Sequence, residues 1–124
     1  MQLTLERPDY EFFLRGADGN AALVNDRRLE ASFVLSPHSL VESWPVRDAG
    51  ALDVAGLAPI LEQQPEVILL GTGANQIFPP AAVLAACLGR GIGMEVMTNA
   101  AAARTFNVLA GEGRRVVAAF ILPG

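Results

Sequence analysis

The chain has 124 residues, thirteen acidic and nine basic side chains, a formal net charge of −4 and 52% hydrophobic residues. That apolar content excludes a disordered polypeptide, and the length suits one domain, residues 1–124, with a real core. The acidic balance, with a sequence pI near 4.8, excludes a nucleic-acid surface, which needs a basic face.

Every basic residue is arginine, a bias consistent with a GC-rich bacterial genome. Arg27-Arg28 and Arg114-Arg115 are isolated pairs, expected to flank strands as solvated ends. Apolar stretches such as residues 67–70 and 81–88 fall well short of the roughly 20 residues that span a bilayer. The opening MQLTLERPDYEFFLRG carries acids among its apolar residues and no signal-peptide core, so a soluble cytoplasmic protein is expected. A single cysteine, Cys87, rules out an internal disulfide, and with a single histidine, His38, it leaves no soft-ligand zinc site. No metal or cofactor is expected.

Taken in chain order, residues 2–5, 12–14, 22–25 and 29–35 read as strands, separated by Gly16-Ala17-Asp18-Gly19-Asn20 and Asn25-Asp26-Arg27-Arg28. Alternation at Leu29, Ala31, Phe33 and Leu35 turns one face toward a core. This part is an antiparallel meander. Pro37 and Pro45 interrupt the middle, and Trp44, held extended by the proline after it, is expected in the core or as a lid.

A short helix follows over residues 54–63, stopped by Pro65. Then come a strand at 66–70, a helix at 79–88, a strand at 92–97, a helix at 99–110 and a strand at 114–122. Pro79 and Pro80 suit a helix's first turn, Thr98 or Asn99 suits the next N-cap, and Gly89 and Gly111 fall where a left-handed residue closes a helix. The class is α/β: a mixed central sheet with an antiparallel N-terminal part and a C-terminal parallel strand-helix-strand-helix-strand unit.

The stretch VILLGTGANQIFPP raises the question of a phosphate-binding loop. Gly71-Thr72-Gly73 lacks the third glycine of a dinucleotide fingerprint, and the two prolines remove N–H donors where a phosphate would sit. A Walker loop needs a lysine, and the chain has none. The loop reads as a turn, placed where open α/β sheets bind ligands, beyond the carboxyl ends of parallel strands. If the flanking strands are neighbours, Gly71, Thr72, Gly73, Asn75, Gln76, Thr98 and Asn99 form one candidate ligand or partner site. Glu95, between apolar neighbours, reads as partly buried, as a general base or as the ion-pair partner of Arg104 or another arginine. No set of acid, base and nucleophile accompanies it. Cys87 lies among alanines and leucines and reads as a core residue; His38, among Ser36, Ser39 and Ser43, lacks a nucleophile elbow and reads as a surface loop residue.

PEVILLGTG, the run GIGMEVMTNAAAARTFNVLAGEGRRVVAAFI and the segment SPHSLVESWPV resemble a small domain family of unresolved activity. Its eukaryotic members include a mitochondrial respiratory complex I assembly factor, the third so named, and an adipogenesis-associated protein. The likeness covers nearly the whole chain, whose acidic first residues suit a bacterial-type member. It implies a three-layer α/β fold and a role in assembly through a protein partner, such as a membrane-enzyme assembly. It brings no catalytic set. The leading expectation is therefore a non-catalytic protein-binding or assembly-type module. The alternative is a small-molecule binder or enzyme using residues 71–78 with Thr98 and Asn99.

Overall fold

Period-two alternation sorts the central strands onto two faces, and the computed structural model, which describes residues 10–124, builds its layers on that sorting. The strand expected over residues 2–5 lies outside the described residues. β1 (Leu14–Ala17), β2 (Ala22–Val24) and β3 (Arg27–Leu29) form an antiparallel sheet in that order. A five-stranded sheet contains β4 (Ala31–Ser36), β5 (Ser39–Val41), β6 (Val67–Gly71), β7 (Gly93–Met97) and β8 (Val116–Pro123), ordered β5-β4-β8-β6-β7. β4 is antiparallel to both β5 and β8, whereas β8, β6 and β7 run parallel. The helices are α1 (Ala58–Leu61), α2 (Ala81–Leu88) and α3 (Asn99–Gly111).

On one face Leu69, Ala118 and Phe120 meet Ala102, Ala103, Phe106 and Ala110 of α3, together with Leu14 and Val24 of the small sheet. The small α3 side chains let the helix lie close to the strands, and the Phe33 and Phe120 rings stack 4.9 Å apart beside it. On the other face Ile68, Leu70, Val117 and Ala119 pack against Trp44, Leu57 and Ile60, and against Val83 and Cys87 of α2. Trp44 is a core residue whose indole N–H donates to the Gly56 carbonyl at 2.9 Å. Cys87 is fully buried, and burial pushes its thiol pKa up.

The mixed α/β architecture matches the sequence reading, with five local corrections. β1 begins where the 12–14 strand was to end, and Arg27-Arg28 stand inside β3 rather than flanking a strand. The 29–35 run divides at Glu30, where the chain passes from one sheet to the other, and Ala31 is exposed. β5 was not foreseen; it pairs with β4 through a turn at Pro37-His38, where His38 is exposed. The helix over 54–63 is a 3₁₀ turn, Ala55–Leu57, running into the single turn of α1.

The helix ends also differ. Gly89 and Gly111 keep right-handed backbone, and the left-handed residues are Gly91 (φ 73°) and Gly113 (φ 76°), two positions later. Ile92 N–H to Cys87 O with Gly91 N–H to Leu88 O, and Arg114 N–H to Leu109 O with Gly113 N–H to Ala110 O, make two Schellman closures. Each helix thus winds further before it stops, because these carbonyls must find partners.

β4 and β8 lose register between Ala31 and Phe33. There the buried Ser32 hydroxyl takes the place of a ladder bond, accepting from Leu122 N–H at 2.8 Å and donating to Leu122 O at 3.2 Å. Ser32→Ala leaves both Leu122 groups unpartnered and is expected to cost about 2 kcal/mol, read as a lower urea midpoint; an unchanged midpoint would show that Ser32 does not bridge this bulge.

Candidate functional site

β6 and β7 are parallel neighbours, paired from Val67–Gly93 to Gly71–Met97, so their carboxyl ends bring residues 71–78 beside Thr98 and Asn99. The ladder continues one step past β6, where Thr72 N–H donates to Met97 O at 3.0 Å. The Thr72 hydroxyl closes the turn by donating to Asn75 O at 2.6 Å and accepting from Ile77 N–H at 3.0 Å. Thr98 caps α3, its hydroxyl accepting from Ala101 N–H at 3.2 Å.

Asn99 is wholly buried and is bonded on every side. Its side-chain oxygen accepts from Gly73 N–H at 3.1 Å, and its backbone N–H donates to Gly73 O at 2.9 Å. Its Nδ2 donates to Asp18 O at 3.0 Å and to Ile121 O at 3.1 Å. One amide therefore fastens the glycine turn, the end of β8 and the β1–β2 turn to the start of α3. That second turn is itself braced, since the Asp18 carboxylate accepts from Asn20 N–H at 2.8 Å and Ala21 N–H at 2.9 Å. Those bonds hold its pKa below the usual carboxylate range.

The two glycines serve different needs. A Cβ on Gly71 would collide with Asn99 Oδ1 and lie 3.1 Å from the Phe120 ring, so glycine is needed there for space. Gly73 has φ 94° and nothing within 4 Å of where its Cβ would stand, so glycine is needed there for backbone conformation. The Thr72, Gly73 and Ile77 N–H groups all donate within the protein, and Pro79 and Pro80 have none. The loop is a turn held by its own side chains: three of its backbone donors are engaged internally, and the two prolines remove those at the start of α2, where a phosphate would sit.

Among the remaining residues of the expected site, Asn75 and Gln76 are exposed, and Gln76 Nε2 donates to Val96 O at 2.8 Å. Glu95 is exposed rather than partly buried. Its strand is at the sheet edge and its partner Leu69 faces the α3 layer, which does not extend to cover Glu95. Arg104 is exposed as well, and neither residue belongs to the four ion pairs found among the described residues. Apolar side chains are exposed along the segment that follows the turn. Ile77 is 46% exposed, Phe78 61% and Leu88 68%. α2, the sequence AAVLAACL, buries Val83 and Cys87 but exposes Ala81, Ala82, Ala85 and Leu88. A helix apolar on every side belongs inside a protein or against something else. This stripe was legible in the sequence as a helix without a charge, yet only the structure shows which face is left uncovered.

Fold and site together define a three-layer α/β domain with a self-braced glycine turn beside an uncovered apolar helix. The chain belongs to the family described as "Protein of unknown function (DUF498/DUF598)", which matches residues 15–121. It is similar to the solution structure of a Xanthomonas campestris protein, at 58% identity and TM-score 0.85, covering 100% of this chain and 94% of that one. A Bordetella pertussis protein described as an Mth938-like domain is similar at 28% identity and TM-score 0.83, with the same coverages, 100% and 94%. Human NADH dehydrogenase (ubiquinone) 1 alpha subcomplex assembly factor 3 is 36% identical over 103 residues, 82% of this chain and 55% of the human protein. The chain spans about half the length of the curated relatives it matches.

The contact between Asn99 and Gly71 gives a coupled prediction. Asn99→Ala strands one buried donor and two acceptors and should destabilise by at least ~3 kcal/mol. Gly71→Ala should cost about 2 kcal/mol in the native chain and less in the Asn99→Ala background, where the obstructing oxygen is gone. Strict additivity in urea melts would contradict this contact. Gly73→Ala should cost about 1–2 kcal/mol through backbone strain alone, and a melting temperature equal to that of the native chain would refute the strain.

Proposed function

We propose that this chain is a non-catalytic docking module of assembly type, and that Ile77, Phe78 and the outer stripe of α2 are its contact surface. The observation that carries this reading is the apolar run itself. From Ile77 to Gly89 the chain holds no charged side chain, and Phe78 and Leu88 stand more than half exposed. Monomeric proteins rarely leave such side chains contiguous and uncovered unless something binds them. The assembly-factor name of the human relative supports the same reading. No helix among the described residues is long and apolar enough to cross a membrane. The partner in this reading is a subunit of a membrane enzyme under assembly, met in the bacterial cytoplasm. The candidate turn then acts as a rigid base for the apolar segment that follows it, with Asn75 and Gln76 at the rim of the interface.

The test is capture of partners by the tagged chain from detergent-solubilised cells of its source, with a Phe78→Glu/Leu88→Glu variant alongside. Both side chains are mostly exposed, so the variant should melt within about 0.5 kcal/mol of the native chain. It should lose a defined partner by at least ~30-fold in affinity, as expected for interface anchors. A partner retained at full strength by the variant would remove α2 from the interface, and recovery of the chain alone would remove the docking reading.

A further inference from the structure

We propose that a cleft at the other end of the sheet binds a small organic anion with a short apolar body and a hydrogen-bond donor. The cleft has a volume of about 310 Å³ and lies between the β4–β5 turn, the end of α1 and the C-terminal end of α3. That volume is at the small end of the range for ligand pockets. It lies at the amino ends of the parallel strands, so none of its walls belongs to α2 or to residues 71–78.

Three independent features set the ligand's chemistry. First, the walls are basic on an acidic chain. Among the described residues Arg114, Arg115 and His38 line the cleft and no carboxylate does, with Glu66 standing behind the arginines and accepting from Arg115 N–H at 2.8 Å, although acids outnumber bases thirteen to nine overall. Arg115 engages the protein through Nε, which donates to Gln64 O at 3.1 Å. Arg114 Nε lies 3.6 Å from Glu66, an exposed pair of little energetic weight. Guanidinium forks with spare donors match carboxylate or phosphate oxygens.

Second, Gln63 lines the cleft, and its Oε1 is the one buried side-chain polar atom without a hydrogen-bond partner among the described residues. Its Nε2 donates to Pro59 O at 3.1 Å, which fixes the amide's orientation and leaves an acceptor over. The group that satisfies it must therefore be a donor. Third, the cleft reaches down to Val116 and Val117, both core residues, so the body of the ligand meets apolar surface.

The carbonyl end of α3 also borders the cleft and by itself disfavours an anion. The Leu109 and Ala110 carbonyls are already bonded by the Arg114 and Gly113 N–H groups, which leaves the arginine side chains to set the local sign.

Titration of the ¹⁵N-labelled chain with 4-hydroxybenzoate and with phenyl phosphate tests the site by amide shifts. Saturable shifts are expected at residues 36, 38, 63 and 110–117 for at least one of the two, and the tighter binder identifies the head group. Neutral 4-hydroxybenzamide should bind at least about tenfold more weakly, the scale of a charge-assisted bond, and this comparison needs no variant. Arg115→Gln should weaken the anion by a similar factor while the rest of the spectrum stays native. Gln63→Leu should erase the preference for 4-hydroxybenzoate over benzoate and leave benzoate binding unchanged. No saturable shifts from either anion at 10 mM, shifts centred elsewhere, or equal binding of the neutral amide would each overturn the proposal.

Discussion

Everything at the carboxyl ends of the parallel strands depends on one buried amide. Asn99 reaches the glycine turn, the β1–β2 turn and the end of β8 at once, and each of its polar atoms has a partner. In a low-dielectric interior such a group is favourable only when fully satisfied, so it fixes the positions of all four segments together. Gly71 follows from this, because no other residue leaves room for the amide oxygen. The sequence around the turn looks like part of a ligand loop because both kinds of loop need glycines where backbone must come close to a polar group. Here that polar group belongs to the protein.

The same constraint separates the two activities proposed for the molecule. The braced turn commits the Thr72, Gly73 and Ile77 N–H groups internally, and it holds the apolar segment that follows it in a fixed position at the surface. The cleft sits where the parallel strands begin, at the opposite ends of α3 and β8 from the segments that Asn99 fastens. A rigid edge for a macromolecule and a small basic cleft can therefore coexist without sharing a residue.

The C-terminal half was legible in the sequence because its signals are local. Apolar runs marked β6, α2, β7, α3 and β8, and Thr98 marked the start of α3, whereas Pro79 and Pro80, expected in the first turn of α2, stand just before it, with Pro80 at the N-cap. What could not be read was set by pairing. Ser39–Val41 is a strand only because β4 lies next to it. The 29–35 run divides because Glu30 stands between two sheets, a fact about the partners of Leu29 and Ser32 and not about their own preferences. Asn99 was recognised as a possible cap, yet Thr98 does that work, and the true partner Asp18 is 81 residues away. Glu95 looked buried because its neighbours are apolar, but an edge strand has only one covered face. The uncovered stripe of α2 and the Gln63 acceptor needed three-dimensional placement to be seen at all.

β7 ends the sheet with an open edge of apolar sequence, the kind of surface on which a second chain adds a strand and aggregation begins. The Met97 carbonyl faces β6 through Thr72, so by strand alternation the Val96 carbonyl faces outward. Gln76 occupies that carbonyl, and Glu95 places a charge one residue earlier on the same strand. The loop that resembles a ligand site thus also occupies an outward carbonyl of this open edge, and with the charge beside it forms the kind of device by which an edge strand discourages pairing with a second chain.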